Sequence, residues 1–135
     1  MATLRLPATL DSLEPLRSFA LDRAGAAGLA TERLLKLELA LEELLVNVMH
    51  YAYPQGTGDV ELECTASSGS FFVAIRDWGL AFDPLTKETP DLHENIADRP
   101  IGGLGIFFVR EMSDAVCYER CGDCNVLTVS FARPQ

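Results

Sequence analysis

The chain has 135 residues, 48% hydrophobic, 23% charged and 8% aromatic, which is the make-up of a single domain able to bury a core and not of a disordered or fibrous protein. Eleven Lys and Arg against twenty Asp and Glu leave a formal net charge of −9, with no basic cluster, so direct binding of a nucleic-acid backbone is disfavoured. No apolar run approaches the ~20 residues of a membrane span, and the N-terminus lacks the pattern of a secretion signal; the expectation is a cytoplasmic protein without a membrane partner.

Residues 3–8 (TLRLPA) alternate in polarity and predict a short strand, placed at a sheet edge by Pro7. Asp11 or Ser12 then caps a helix from Leu13 to about Gly28, with Leu13, Leu16, Phe19, Ala20 and Ala24 at helical spacing. With Thr31 at its N-cap, a second and longer helix carries Leu34, Leu37, Leu41, Leu44, Leu45 and Val48 to about Tyr53, where Pro54 and Gly56 stop it. This helix is apolar nearly all round, so it should be covered on most of its surface. Residues 59–66 and 71–77 predict an antiparallel hairpin through Ser68 and Gly69. From Trp78 to Ile101 there is no sustained period, and ordered loops of that length are usually functional. A third helix is expected over 105–113, with Phe107, Phe108 and Met112 in the core, followed by strands 115–120 and 125–132 around a Gly122-Asp123 turn. One mixed, mainly antiparallel sheet with helices packed on a single face accommodates this order.

Three constellations could carry chemistry. Glu43 and Asn47 lie four residues apart on one face of the long helix, shared with Ala40 and with His50 or Tyr51, whereas Glu42 points towards solvent. An amide oxygen ligates a hard cation such as magnesium, and a carboxylate one turn earlier can take a proton from a hydroxyl; helix-surface polarity is the plain alternative. Asp77, at the end of an apolar strand, can accept from an exocyclic amine, while Gly79 lets a flat ring approach; a strand-end turn would use the same residues. Gly102, Gly103 and Gly105 open the third helix, where free N–H groups suit phosphate, but the spacing and the missing Lys exclude a P-loop.

The order Glu-x-x-x-Asn, Asp-x-Gly, Gly-Gly-x-Gly resembles that of the GHKL ATP-binding superfamily. Within it, the stretches EELLVNVMHYAYP, IRDWGLAFDP and RPIGGLGIFFVREMSD resemble the bacterial anti-sigma regulatory factors that are serine/threonine kinases of the partner-switching type. The resemblance implies a two-layer α/β sandwich of the histidine-kinase-like ATPase type over residues 1–135, with a lid at about 84–101. It implies Glu43 as general base, Asn47 as magnesium ligand, Asp77 at the adenine amino group and Gly79 beside the ring. Gly103, Leu104 and Gly105 would meet the phosphates, and Arg99 in the lid is a candidate γ-phosphate contact. The implied reaction transfers the γ-phosphoryl group of ATP to a Ser or Thr of an anti-anti-sigma (STAS-domain) partner, with a sigma factor or other regulator as a second partner and a homodimer as the assembly. A nucleotide-dependent binding switch without catalysis is the alternative.

Of the remaining residues, Cys121 and Cys124 flank the last turn as cross-strand neighbours. With Cys117 they read as free or reversibly oxidised thiols in preference to a zinc site. His93 and Lys87 fall in the expected lid, and Trp78 is either a pocket wall or simply packed.

Overall fold

The computed structural model describes residues 1–86 and 103–134. Five strands, β1 (Ala2–Pro7), β2 (Asp59–Ser67), β3 (Ser70–Asp77), β4 (Ala115–Cys121) and β5 (Cys124–Ala132), form one sheet in the order β1-β2-β3-β5-β4. The antiparallel majority expected from the sequence extends to all four pairings. Helices α1 (Leu13–Ala26), α2 (Thr31–Tyr51) and α3 (Gly103–Met112) provide the second layer. The edge position of β1 agrees with Pro7, whose nitrogen cannot donate to a further strand.

Alternation decides which side of the sheet faces the helices. Val60 and Leu62 on β2, Phe71, Val73 and Ile75 on β3, and Leu127, Val129 and Phe131 on β5 are buried against Leu37, Leu41, Leu44 and Leu45 of α2. Leu16, Ala20 and Ala24 of α1 and Ile106 and Val109 of α3 complete the core. On the other face the same alternation places Arg76, whose guanidinium lies 2.7 Å from Glu61 and 3.8 Å from Glu63.

Several local expectations need correction. Thr31 is the first helical residue of α2 and Ala30 occupies the N-cap, with no side-chain cap; Arg33 instead ties that end to Asp114 at 2.5 Å. Ser12 is the N-cap of α1 but makes no capping bond, because a 3-10 turn at Leu10–Ser12 already feeds the helix. Leu35 and Leu39 of α2 are exposed, since the layer covers only the face toward the sheet and its flanks. The third helix begins at Gly103, so Gly103, Leu104 and Gly105 form its first turn. Ile106 and Val109, three apart, take its inward face, and Phe108 points outward at 48% exposure. Among the described residues no helix is long and apolar enough to cross a membrane.

Candidate functional site

A cavity opens between the C-terminal half of α2 and the adjoining ends of β3, β4 and β5. It encloses about 510 Å³ of non-atom space, part of it continuous with solvent. Asn47 and Asp77, expected from the sequence to share a site, both line it. Leu44, Val48, Ile75 and Leu127 make much of its wall apolar, and Tyr51, Phe82 and Tyr118 add aromatic surface. A few polar groups in an apolar recess are the usual make-up of a small-ligand site.

Asp77 is 6% exposed because β3 turns its last residue to the helix side. Its Oδ1 accepts from the Gly79 N–H at 2.9 Å and from Asn125 Nδ2 at 2.9 Å. No described residue donates to its Oδ2. Asp77 lines the cavity, so a buried carboxylate oxygen without a donor among the described residues is available there as an acceptor.

Gly79 has a packing role besides the expected one. A Cβ there would collide with the carbonyl and Cβ of Ala52, at the end of α2. The absent side chain therefore lets the strand-end turn lie on the helix, and Leu80 N–H donates to Ala52 O at 3.0 Å. Arg120 holds the far side of the turn through Gly79 O at 3.0 Å.

Glu43 is half-buried on α2, one turn before Asn47 and on the same side, but it is not part of the cavity wall. Of the two residues offered for that helix face, Tyr51 lines the cavity and stacks with Phe82 at 6.5 Å, whereas His50 is exposed. Glu42 is turned towards Arg17 of α1, 4.0 Å away. Trp78 is not a cavity residue; its ring lies under the Arg5 guanidinium at 4.0 Å and its backbone N–H donates to the Tyr53 hydroxyl at 2.8 Å. Burial pushes the Tyr53 hydroxyl up from its ordinary pKa, against the opposing effect of that N–H. Gly103, Leu104 and Gly105 are in the first turn of α3, which packs on α2. Gly102, Arg99, Lys87, His93 and the lid beyond Thr86 lie outside the described residues.

Asn125 and Tyr118 were not singled out from the sequence. Asn125 is 6% exposed, donates to Asp77 and to Leu80 O at 2.7 Å, and accepts from Phe82 N–H at 3.3 Å and from the Tyr118 hydroxyl. A signal existed: Asn125 is in phase with Leu127, Val129 and Phe131, so alternation puts an amide on the core face. A polar residue in that phase needs partners.

The sequence model of a family described as "Histidine kinase-like ATPase domain" matches residues 6–131. The serine-protein kinase RsbW of Listeria monocytogenes is 28% identical over 119 residues, covering 84% of this chain and 76% of that protein. The serine/threonine-protein kinase BtrW of Bordetella bronchiseptica is 28% identical over 95 residues, covering 70% and 67%. Among solved structures, the mycobacterial sensor histidine kinase MprB superposes with a TM-score of 0.58 over 98% of this chain and all of that one, at 15% identity, which is a likeness of fold.

Proposed function

Starting from the chain's membership of the histidine kinase-like ATPase domain family, we propose that it is an ATP-dependent serine/threonine protein kinase of the anti-sigma, partner-switching type. The observation that carries this reading is the buried Asp77 carboxylate, whose Oδ2 meets no donor among the described residues, at the wall of an apolar cavity that Asn47 also lines. That arrangement suits adenine: the flat ring takes the apolar space and its 6-amino group donates to the carboxylate. The relatives that are serine kinases support phosphoryl transfer over nucleotide binding alone.

In this reading Asn47, one turn beyond Glu43, is the side chain that would hold a magnesium ion at the phosphates. A divalent ion there supplies neutralisation of phosphate charge. Glu43 takes the proton from a Ser or Thr hydroxyl of a STAS-domain partner, whose oxygen bonds to the γ-phosphorus as the bridging bond to the β-phosphate breaks, releasing ADP. The first turn of α3 points free N–H groups at the phosphates, with Gly103, Leu104 and Gly105 as its contact residues and Arg99 as a lid contact. The partner, now carrying ~1.5–2 additional negative charges, is repelled by a chain whose own net charge is −9. The chain acts as one domain, in a homodimer, in the cytoplasm.

Incubation with magnesium, γ-labelled ATP and the STAS-domain proteins encoded near its gene tests the reading. Label on a partner Ser or Thr is the expected result. Nucleotide-dependent partner binding without label would convert the assignment to a non-catalytic switch, and absence of ATP binding would remove it.

A further inference from the structure

We infer that Asn125 is the positioning residue that holds Asp77 as a one-sided acceptor and thereby sets selection of a 6-amino purine. The inference rests on the nucleotide reading of the cavity and adds to it a residue of β5. A side-chain amide has two N–H donors and two acceptor lone pairs, and in Asn125 all four are used. Nδ2 donates to Asp77 Oδ1 at 2.9 Å and to Leu80 O at 2.7 Å, while Oδ1 accepts from Phe82 N–H at 3.3 Å and from the Tyr118 hydroxyl.

These partners force the orientation of the amide. Leu80 O can only accept and Phe82 N–H can only donate, so a flipped amide would set carbonyl against carbonyl and N–H against N–H. With Nδ2 so directed and the Gly79 N–H on the same oxygen, Asp77 Oδ1 is committed to two protein donors. A partial rotation of the carboxylate would strand both of those donors, a half-turn only exchanges two equivalent oxygens, and a buried unmade hydrogen bond is costly. Oδ2 is therefore held as the acceptor the ligand meets. A 6-amino purine donates to it, whereas a 6-oxo purine presents a second acceptor. Asn125 also grips Leu80 and Phe82, two residues of the cavity wall, so the same amide ties the acceptor to the surface against which the ring packs.

The test compares ATP with purine riboside triphosphate, which lacks the 6-amino group, on the wild type and on Asn125→Asp, using calorimetry and circular dichroism. The substitution keeps the shape and removes both donors, setting a second carboxylate against Asp77. The expected result is an ATP affinity about tenfold to a hundredfold lower, with the analogue bound about as before. A purely structural role would lower both affinities together, and that outcome, or no change in either, overturns the assignment of Asn125. Should Asn125→Asp fail to fold, Asn125→Ser, too short to span Asp77 and Leu80, is read by the same ratio. A wild-type protein that binds neither compound overturns the nucleotide reading and this inference together, whereas wild-type ATP binding with an unmoved ratio overturns the inference alone.

Discussion

Gly79 lies directly on Ala52, so that the end of β3 and the end of α2 meet backbone to backbone, with Leu80 N–H donating to the Ala52 carbonyl at 3.0 Å. The contact fixes the turn that carries Asp77, Leu80 and Phe82 at one height on the helix that carries Asn47. Gly79→Ala places a methyl group against that carbonyl, where neither backbone can yield alone. The substitution is expected to lower stability by about 1–3 kcal/mol. It should weaken ATP binding as well, because the turn must lift. Urea denaturation followed by circular dichroism measures the first effect, and an unchanged midpoint would show that the turn relaxes freely.

Asp77→Asn separates fold from recognition. The amide oxygen can still accept from Gly79 and Asn125, so the protein should fold and melt near the wild-type temperature. The second position changes from acceptor to donor and faces a donor on the ligand. Affinity for ATP should fall by about tenfold to a hundredfold, read by calorimetry. Equal affinity in the two proteins would mean that the base does not meet this carboxylate.

Glu43→Ala distinguishes catalysis from switching. Glu43 is half-buried and outside the cavity wall, so its removal should leave ATP affinity unaltered. Phosphoryl transfer to the partner should slow by about 10²–10⁴-fold, the usual contribution of a general base. Full transfer activity in the variant would take that role from Glu43.

Cys64 sets a limit on stability at alkaline pH. Burial raises its thiol to about 11 from the ordinary 9.0. The folded state therefore keeps the proton after the unfolded chain has released it, and the stabilisation present below pH 9 is lost as pH rises towards 11. Denaturation midpoints of the wild type should fall across that window, and those of Cys64→Ala should fall less. An aromatic disulfide reagent at pH 8 should reach the exposed Cys117 and Cys121 in the native protein and Cys64 only after unfolding.

The placement of several candidate residues is legible in the sequence. Glu43 and Asn47 share one side of α2 because their four-residue spacing is close to one helical turn, and Asp77 ends β3 because a run of alternating residues stops there. The third helix was less well read. Phe107 and Phe108 looked as much like core as Ile106 and Val109 because nearly every residue of that stretch is apolar, and a stripe cannot be picked out of a uniform surface. The packing of Gly79 was hidden for another cause: its neighbour Ala52 belongs to a different element.

Periodicity, turn residues and motif spacing act between residues a few positions apart, and they were enough to locate α1 to α3, β1 to β5 and the Gly122-Asp123 turn. The same forces pair β2 with β3 and β4 with β5 through their turns but neither place β1 nor join the two hairpins, so the full order β1-β2-β3-β5-β4 had to come from packing. Asp77 and Asn125, 48 residues apart, become register partners through that order, and their shared hydrogen bond exists only once both strands are in place. The motif residues were visible because they follow local rules; alternation marks Asn125 as an inward amide but does not name its partners, because these come from two separate segments of the chain, Asp77 to Phe82 and Tyr118 of β4, and meet in a buried space that no single segment encodes.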